Sequence, residues 1–268
     1  MKFSKLTLSI LSVIISCGAM AATPVAVVAP QANINLFLNG SGVAIPTTSY
    51  TTGTHPIYGN VQFLRSASPG YSTGTTTVQQ RLQATLYMSG KSLIGVAFVT
   101  GGTLHQRVSE TGYPGQCVGL AKAMTNAGGT SGWRRGSAMT TLFPSALTVS
   151  GTVDTVLPPG TMIAHFGGQT FYNANTTNPH VATVLSTAVN PNGTVAGFNV
   201  LDQNGLTSAT INGVNTIVTS GGGGTITKHF LPWSSASTNP VLSGMSYHVV
   251  TQCPSGQTCP WSTKHQYT

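Results

Sequence analysis

Short apolar runs separated by glycine, proline, threonine and asparagine recur along most of the chain, the pattern of many short strands joined by turns. Before residue 100, the runs Ile34 to Leu38, Ile57 to Leu64 and Leu93 to Val99 read as strands. Between them Val78, Leu82, Ala84, Leu86 and Met88 share one parity, with mostly polar residues interleaved, which is the period of a half-buried strand. One later stretch changes period. Gln116 to Asn126 spaces Val118, Leu120, Ala121 and Met124 along one helical stripe, and Gly128-Gly129 stops it. Strands are expected again at Met162 to Phe166, Val181 to Val189, Thr194 to Leu201, Thr225 to Leu231 and Tyr247 to Thr251. Asn192-Gly193 predicts a tight hairpin turn, and Gly221 to Gly224 a flexible interruption between strands. One helix ahead of an antiparallel sheet predicts an α+β domain over residues 100–268, preceded by a small β-rich domain over 22–99.

The first 21 residues follow another logic. Lys2 and Lys5 precede an apolar run from Leu6 to Ile15 and the small-residue site Ala19-Met20-Ala21, which together predict an export signal cleaved before Ala22. The run is too short for a permanent anchor, and no later segment approaches about twenty continuous apolar residues, so no transmembrane anchor is expected. Ile14-Ile15-Ser16-Cys17 offers an alternative, a lipidated terminus at Cys17. Export places the chain in the periplasm or outside the cell, an oxidising setting. There Cys253 and Cys259, in Cys253-Pro254-Ser255-Gly256-Gln257-Thr258-Cys259, are expected to close a disulfide loop. A zinc site would need a second cysteine pair, which the chain lacks.

Composition narrows the partners. Only 5% of residues are charged while 40% are hydrophobic, enough for a core. The net charge is +8 for the whole chain, and losing Lys2 and Lys5 with the signal leaves nine basic against three acidic residues, a balance that draws an exported protein towards anionic surfaces, including cell-wall polymers. No basic run carries interleaved aromatics, so nucleic acid is a poor partner.

Cys117 is the one thiol left without an obvious partner, and it stands where a glycine turn runs into the helical stripe. A cysteine at a helix start gains acidity from the positive end of the helix dipole and from backbone N–H groups. That favours a nucleophile, with the Cys117 N–H and the Gln116 side chain as candidate oxyanion donors. His180 is the candidate base among seven histidines, because it opens an apolar strand directly after Pro179 and is rigidly held there. The imidazolium needs an acceptor, and the chain offers only Glu110, Asp154 and Asp202 as carboxylates. Asp202 ends the return strand of the Asn192-Gly193 hairpin, and counting back from the turn sets it within a few residues of His180. Whether the two share a face depends on register, with Gln203 and Asn204 as substitutes.

Gly115-Gln116-Cys117-Val118-Gly119-Leu120, Trp133-Arg134-Arg135-Gly136, Gly160-Thr161-Met162-Ile163-Ala164, Pro179-His180-Val181-Ala182 and Val200-Leu201-Asp202-Gln203 together resemble the landmarks of NlpC-type and CHAP-type peptidoglycan peptidases. Their order and wording are most similar to the type VI secretion amidase effector 2 family. The resemblance covers roughly residues 100 to 251. It implies a papain-like fold, hydrolysis of amide bonds in peptidoglycan stem peptides or crosslinks, Cys117 as nucleophile, His180 as general base and Asp202 as the orienting third residue. It implies no cofactor or metal. An antibacterial toxin of this kind would meet an immunity protein.

Other readings stay open. The same three residues serve an acyltransferase or transglutaminase-like enzyme, the threonine- and glycine-rich half suits a non-catalytic wall-binding or adhesive module, and a secreted effector acting on a host protein is a third possibility. Trp133 is expected to pack beneath Arg134 and Arg135, His165 to be a hydrogen-bonded sheet residue, Trp261 to pack, and His229 with Trp233 to end an apolar strand or line the cleft.

Overall fold

The computed structural model describes residues 22–31, 33–34, 50–55, 59–64, 92–94, 99–100, 103–104, 107–110, 113–114, 116–125, 127–144, 153–205, 208–211, 213–217, 219–220, 223–224, 226–234 and 239–259. The expected signal segment with Cys17, the strand from Val78 to Met88, and Trp261 lie outside them. By contacts the chain divides into Val25–Gln252 and a second unit made of Met1–Pro24 with Cys253–Thr268.

Val25–Gln252 is an α+β unit dominated by one antiparallel sheet of eleven strands among the described residues. In chain order these are β1 (Val25–Ala26), β2 (Tyr50–His55), β3 (Gly59–Leu64), β4 (Arg134–Ala138), β5 (Met162–His165), β6 (His180–Val189), β7 (Val195–Gln203), β8 (Ser208–Ile211), β9 (Val214–Ile217), β10 (Ile226–Pro232) and β11 (His248–Gln252). Their spatial order is β1-β11-β5-β6-β7-β10-β3-β2-β8-β9, with β4 also on β11. Three α-helices described over their full length are α1 (Cys117–Thr125), α2 (Met139–Leu142) and α3 (Val153–Val156). None of the described helices is long and apolar enough to cross a membrane.

The predicted elements of the second half are present within a residue or two, and α1 ends at Thr125, just before the glycines. Two strands from the stretch expected to form a separate β domain are hydrogen-bonded into this same sheet, β3 pairing β10 through Val61↔His229 and Phe63↔Thr227. Three expectations are corrected. Ile34 sits in a helical turn, its N–H donating to the Pro30 carbonyl, and the rest of that expected strand, residues 35–38, lies outside the described residues. Of Leu93 to Val99, residues 95–98 lie outside the described residues, and the flanking Ser92–Ile94 and Val99–Thr100 pair with different strands. Gly223–Gly224 forms a short ladder with Thr219–Ser220 rather than a bare interruption.

The central strands bury both faces, which is why they read as continuous apolar runs instead of alternating ones. On β5, Met162 and Ala164 join the α1 residues Val118 and Ala121 and the aromatics Trp133, Phe166 and Tyr172. Ile163 joins the opposite cluster with Val61, Met139, Val184, Phe198, Val200 and Tyr247. Helix α1 is fastened to the sheet by Leu120 and Met124, both essentially fully buried. The Thr183 hydroxyl donates to the sulfurs of Met162 (3.1 Å) and Met124 (3.5 Å), and Asn33 Nδ2 donates to the Met124 carbonyl at 2.7 Å near the helix end.

Register across the β6–β7 hairpin positions the candidate acid. The connection runs from Asn190 to Thr194, with Gly193 at φ 82° and its N–H donating to the Asn190 carbonyl. Ala196 is passed over between Val189↔Val195 and Ala188↔Gly197, and Leu185 between Val184↔Val200 and Ser186↔Asn199. A single bulge of this kind would move every later side chain of one strand to the other face. Two on opposite strands cancel, so Ala182 faces Asp202 and His180 shares a parity with it. Gly197 completes the first bulge at φ 154°, where a Cβ would stand 2.4 Å from the Leu231 carbonyl oxygen.

In the second unit, Cys253 and Cys259 form the expected disulfide, and Ala22 N–H donates to the Thr258 carbonyl at 2.9 Å.

Phe198 is the centre of an aromatic triangle, its ring 5.8 Å from Phe143 and 5.9 Å from Trp233. Phe198→Ala is expected to cost about 3–5 kcal/mol by leaving a buried cavity, read as a lowered denaturant midpoint at unchanged slope.

Candidate active site

Cys117 is the first residue of α1, and among the described residues it is the free cysteine. Its side chain is buried, 8% exposed, among Val181, Phe166 and Tyr172. Three groups converge on the sulfur. The Tyr172 hydroxyl lies 3.4 Å away, and the His180 ring and the Val181 backbone N–H are near enough to act on its acidity. Burial by itself would raise the thiol pKa, but the hydrogen bond and charge of His180, followed by the Tyr172 and Val181 donors, reverse that and lower it.

His180 opens β6 after Pro179, as the sequence predicts, with Asn178 at φ 50° turning the chain into the strand. His165 Nδ1, on the paired strand β5, lies 2.9 Å from the Asn178 carbonyl oxygen and donates to it, so this ring braces the turn. His180 Nε2 lies 2.8 Å from Asp202 Oδ2, and a carboxylate oxygen only accepts, so Nε2 carries a proton. That leaves Nδ1 for the sulfur. Burial lowers the affinity of this ring for its second proton, yet Asp202 and the thiolate outweigh it and push the pKa up to about 10. Asp202 is 3% exposed, and burial alone would raise its pKa; the His229 and His180 rings instead hold it well below the usual carboxylate range.

Two contacts of this site were not read from the sequence. His229 Nε2 lies 3.0 Å from the same Oδ2 that receives His180. It reaches there because β10 pairs with β7, Thr227 facing Asp202 and His229 facing Val200, a non-local pairing that strand period alone does not reveal. Tyr172 lies in the connection between β5 and β6, gripped edge-on by Trp133 at 5.7 Å and Phe166 at 6.0 Å. Burial, then the neighbouring thiolate, raises its pKa well above the ordinary phenol, so it stays a proton donor to sulfur.

Gln116 sits immediately before the thiol. Its backbone carbonyl accepts from Gln203 Nε2 at 2.8 Å and its side-chain Oε1 from Asn204 Nδ2 at 3.0 Å. Gln203 and Asn204 therefore hold the helix start rather than replace Asp202. Trp133, expected beneath two cations, is fully buried against Tyr172, while Arg134 stacks 5.9 Å over Phe171 and Arg135 is exposed on β4.

Gly205 closes the site. A Cβ there would stand 2.4 Å from Asp202 Oδ2 and 3.0 Å from His180 Nε2. Only a glycine lets the backbone pass this close to the imidazole–carboxylate bond. Among the described residues no group of three or more His, Cys, Asp or Glu side chains could hold a metal ion.

No protein-family model and no curated protein matches the chain. Among solved structures it is similar to a type 6 secretion amidase effector 2 at 18% identity and a TM-score of 0.30, over 50% of this chain and 79% of that one. At that level the likeness assigns neither fold nor activity.

A lowered thiol pKa means the thiolate persists as pH falls. Iodoacetamide should therefore alkylate Cys117 in the wild type well below the ordinary thiol range, whereas His180→Ala should need pH above about 8.5. Gly205→Ala should move the profile the same way, because its methyl group displaces the carboxylate from the ring. A profile unchanged by Gly205→Ala would show that the close packing has no bearing on the thiol.

Proposed function

We propose that the chain is a cysteine amidase of papain-like architecture that hydrolyses amide bonds in the peptide stems or crosslinks of peptidoglycan. The observation that carries the chemistry is the buried His180–Asp202 pair, Nε2 to Oδ2 at 2.8 Å, beside a helix-tip thiol whose acidity the His180 ring raises. The substrate class comes from the residues of the sequence resemblance.

In this reading the Cys117 thiolate attacks the amide carbonyl carbon and the carbonyl oxygen becomes an oxyanion. The Cys117 backbone N–H at the helix tip and the Gln116 side-chain N–H₂ donate to that oxygen. The His180 imidazolium gives its Nδ1 proton to the leaving nitrogen, and the C–N bond breaks to leave a thioester and a free amine. Neutral His180 then takes a proton from water, hydroxide adds to the thioester carbonyl, and the carbon–sulfur bond breaks to release the acid. Asp202 keeps the ring in one orientation and offsets its charge at both stages. Residues 100–268 supply every group used.

The setting supports action outside the cytoplasm. The Cys253–Cys259 bridge suits an oxidising compartment, and the excess of basic over acidic residues that remains after Lys2 and Lys5 favours approach to anionic wall polymers.

Purified sacculi incubated with wild-type protein should release new soluble muropeptides, identified by mass. Cys117→Ala should lower the rate on the order of 10³-fold or more, and a chelator should leave the wild-type rate intact. Muropeptides unchanged by the wild type would remove the peptidoglycan assignment. Products joined to an added amine would show acyl transfer instead of hydrolysis.

A further inference from the structure

His229 is buried, 4% exposed, on a strand whose neighbours at that level are Val61 and Val200. An imidazole in apolar surroundings costs free energy unless its polar atoms are engaged, and a plain aliphatic residue would pack there. Its Nε2 instead lies 3.0 Å from Asp202 Oδ2, the oxygen that His180 Nε2 meets at 2.8 Å. Among the described residues, Asp202 Oδ1 is buried with no hydrogen-bond partner. Both rings thus gather on one oxygen, and the carboxylate is held by its imidazole side alone.

Resting on the amidase reading, we infer that His229 is a positioning residue: its Nε2–H donates to Asp202 Oδ2 and fixes the carboxylate as the acceptor that His180 requires. With one ring only, Asp202 would be free to turn about its Cα–Cβ and Cβ–Cγ bonds and carry Oδ2 away from His180. The second N–H removes that freedom from the side of β10, where the backbone is locked between β7 and β3. It also favours the ionised carboxylate: burial alone would raise the Asp202 pKa, and the His229 and His180 rings together hold it below the usual carboxylate range. Asp202 comes from β7, His180 from β6, and beyond His180 stand the Cys117 thiol of α1 and the Tyr172 hydroxyl. Lys228, next along β10, has the opposite parity and points to the other face.

The alternative arrangement is specific. His229 Nδ1 lies 3.4 Å from the Phe230 carbonyl oxygen. Were the only proton on Nδ1, the ring would donate to that carbonyl and Nε2 would present a lone pair to a carboxylate, which is repulsive.

The test uses the whole protein. With ¹⁵N-labelled histidine, the nitrogen spectrum near neutral pH should show His229 protonated at Nε2; a ring protonated solely at Nδ1 overturns the inference. In parallel, His229→Leu should cut the rate of Cys117 alkylation at pH 6 roughly tenfold, and His229→Gln, which keeps a side-chain N–H donor, should stay within about threefold of wild type. On sacculi the Leu variant should lose kcat with little change in KM. A folded Leu variant with the wild-type alkylation profile also overturns it. If the Leu variant does not fold, the nitrogen spectrum decides. A wild-type thiol of ordinary reactivity would instead bring down the amidase reading, while the spectrum would still report on His229.

Discussion

A carboxylate almost sealed from water must be neutralised by protonation or held by donors strong enough to keep it charged. Asp202 takes the second course, and the rest of the site follows from that. Its one engaged oxygen fixes which nitrogen of His180 is protonated, and so which nitrogen turns to the sulfur. The charge that Asp202 keeps lets His180 retain its second proton to about pH 10. That imidazolium in turn overcomes the burial of Cys117 and makes its thiol acidic. Without the carboxylate, burial would push the sulfur and the ring towards neutrality, leaving a small apolar residue beside a neutral histidine.

The fold keeps this chain of charges rigid by ordinary means. Cys117 is fixed by a helix clamped at Met124 and tied at its start by Gln203 and Asn204. His180 is fixed by a strand entry that His165 braces, and Asp202 by cross-strand register. Gly205 closes over the ring and carboxylate with backbone alone. Because every support is backbone geometry or a hydrogen bond within the chain, the parts need no ligand to bring them together.

Much of this was legible in the sequence because it is local. The glycine turn before an apolar stripe announces α1 and sets Cys117 at its tip, and Pro179 before an apolar run announces His180. Asp202 required a count back from Asn192-Gly193, which succeeds only because the skipped Ala196 and Leu185 compensate. Neither bulge has a sequence signature beyond Gly197. Tyr172 was invisible, since it lies in an aperiodic connection that only tertiary packing returns to the thiol. His229 was noticed but its partner was not, for strand period reports which face a residue takes and not which strand lies alongside. For the same reason the pairing of β3 with β10 could not be read from two apolar runs so distant in the chain.

The far-ultraviolet absorbance of the thiolate, followed against pH as the difference between wild type and Cys117→Ala, tests the central claim most directly. An ionised sulfur paired with His180 predicts a thiolate band present at neutral pH and titrating away only on the acid side, well below the ordinary thiol range. A band that appears only above about pH 8.5 would mean a neutral thiol beside a neutral ring, and would contradict the account.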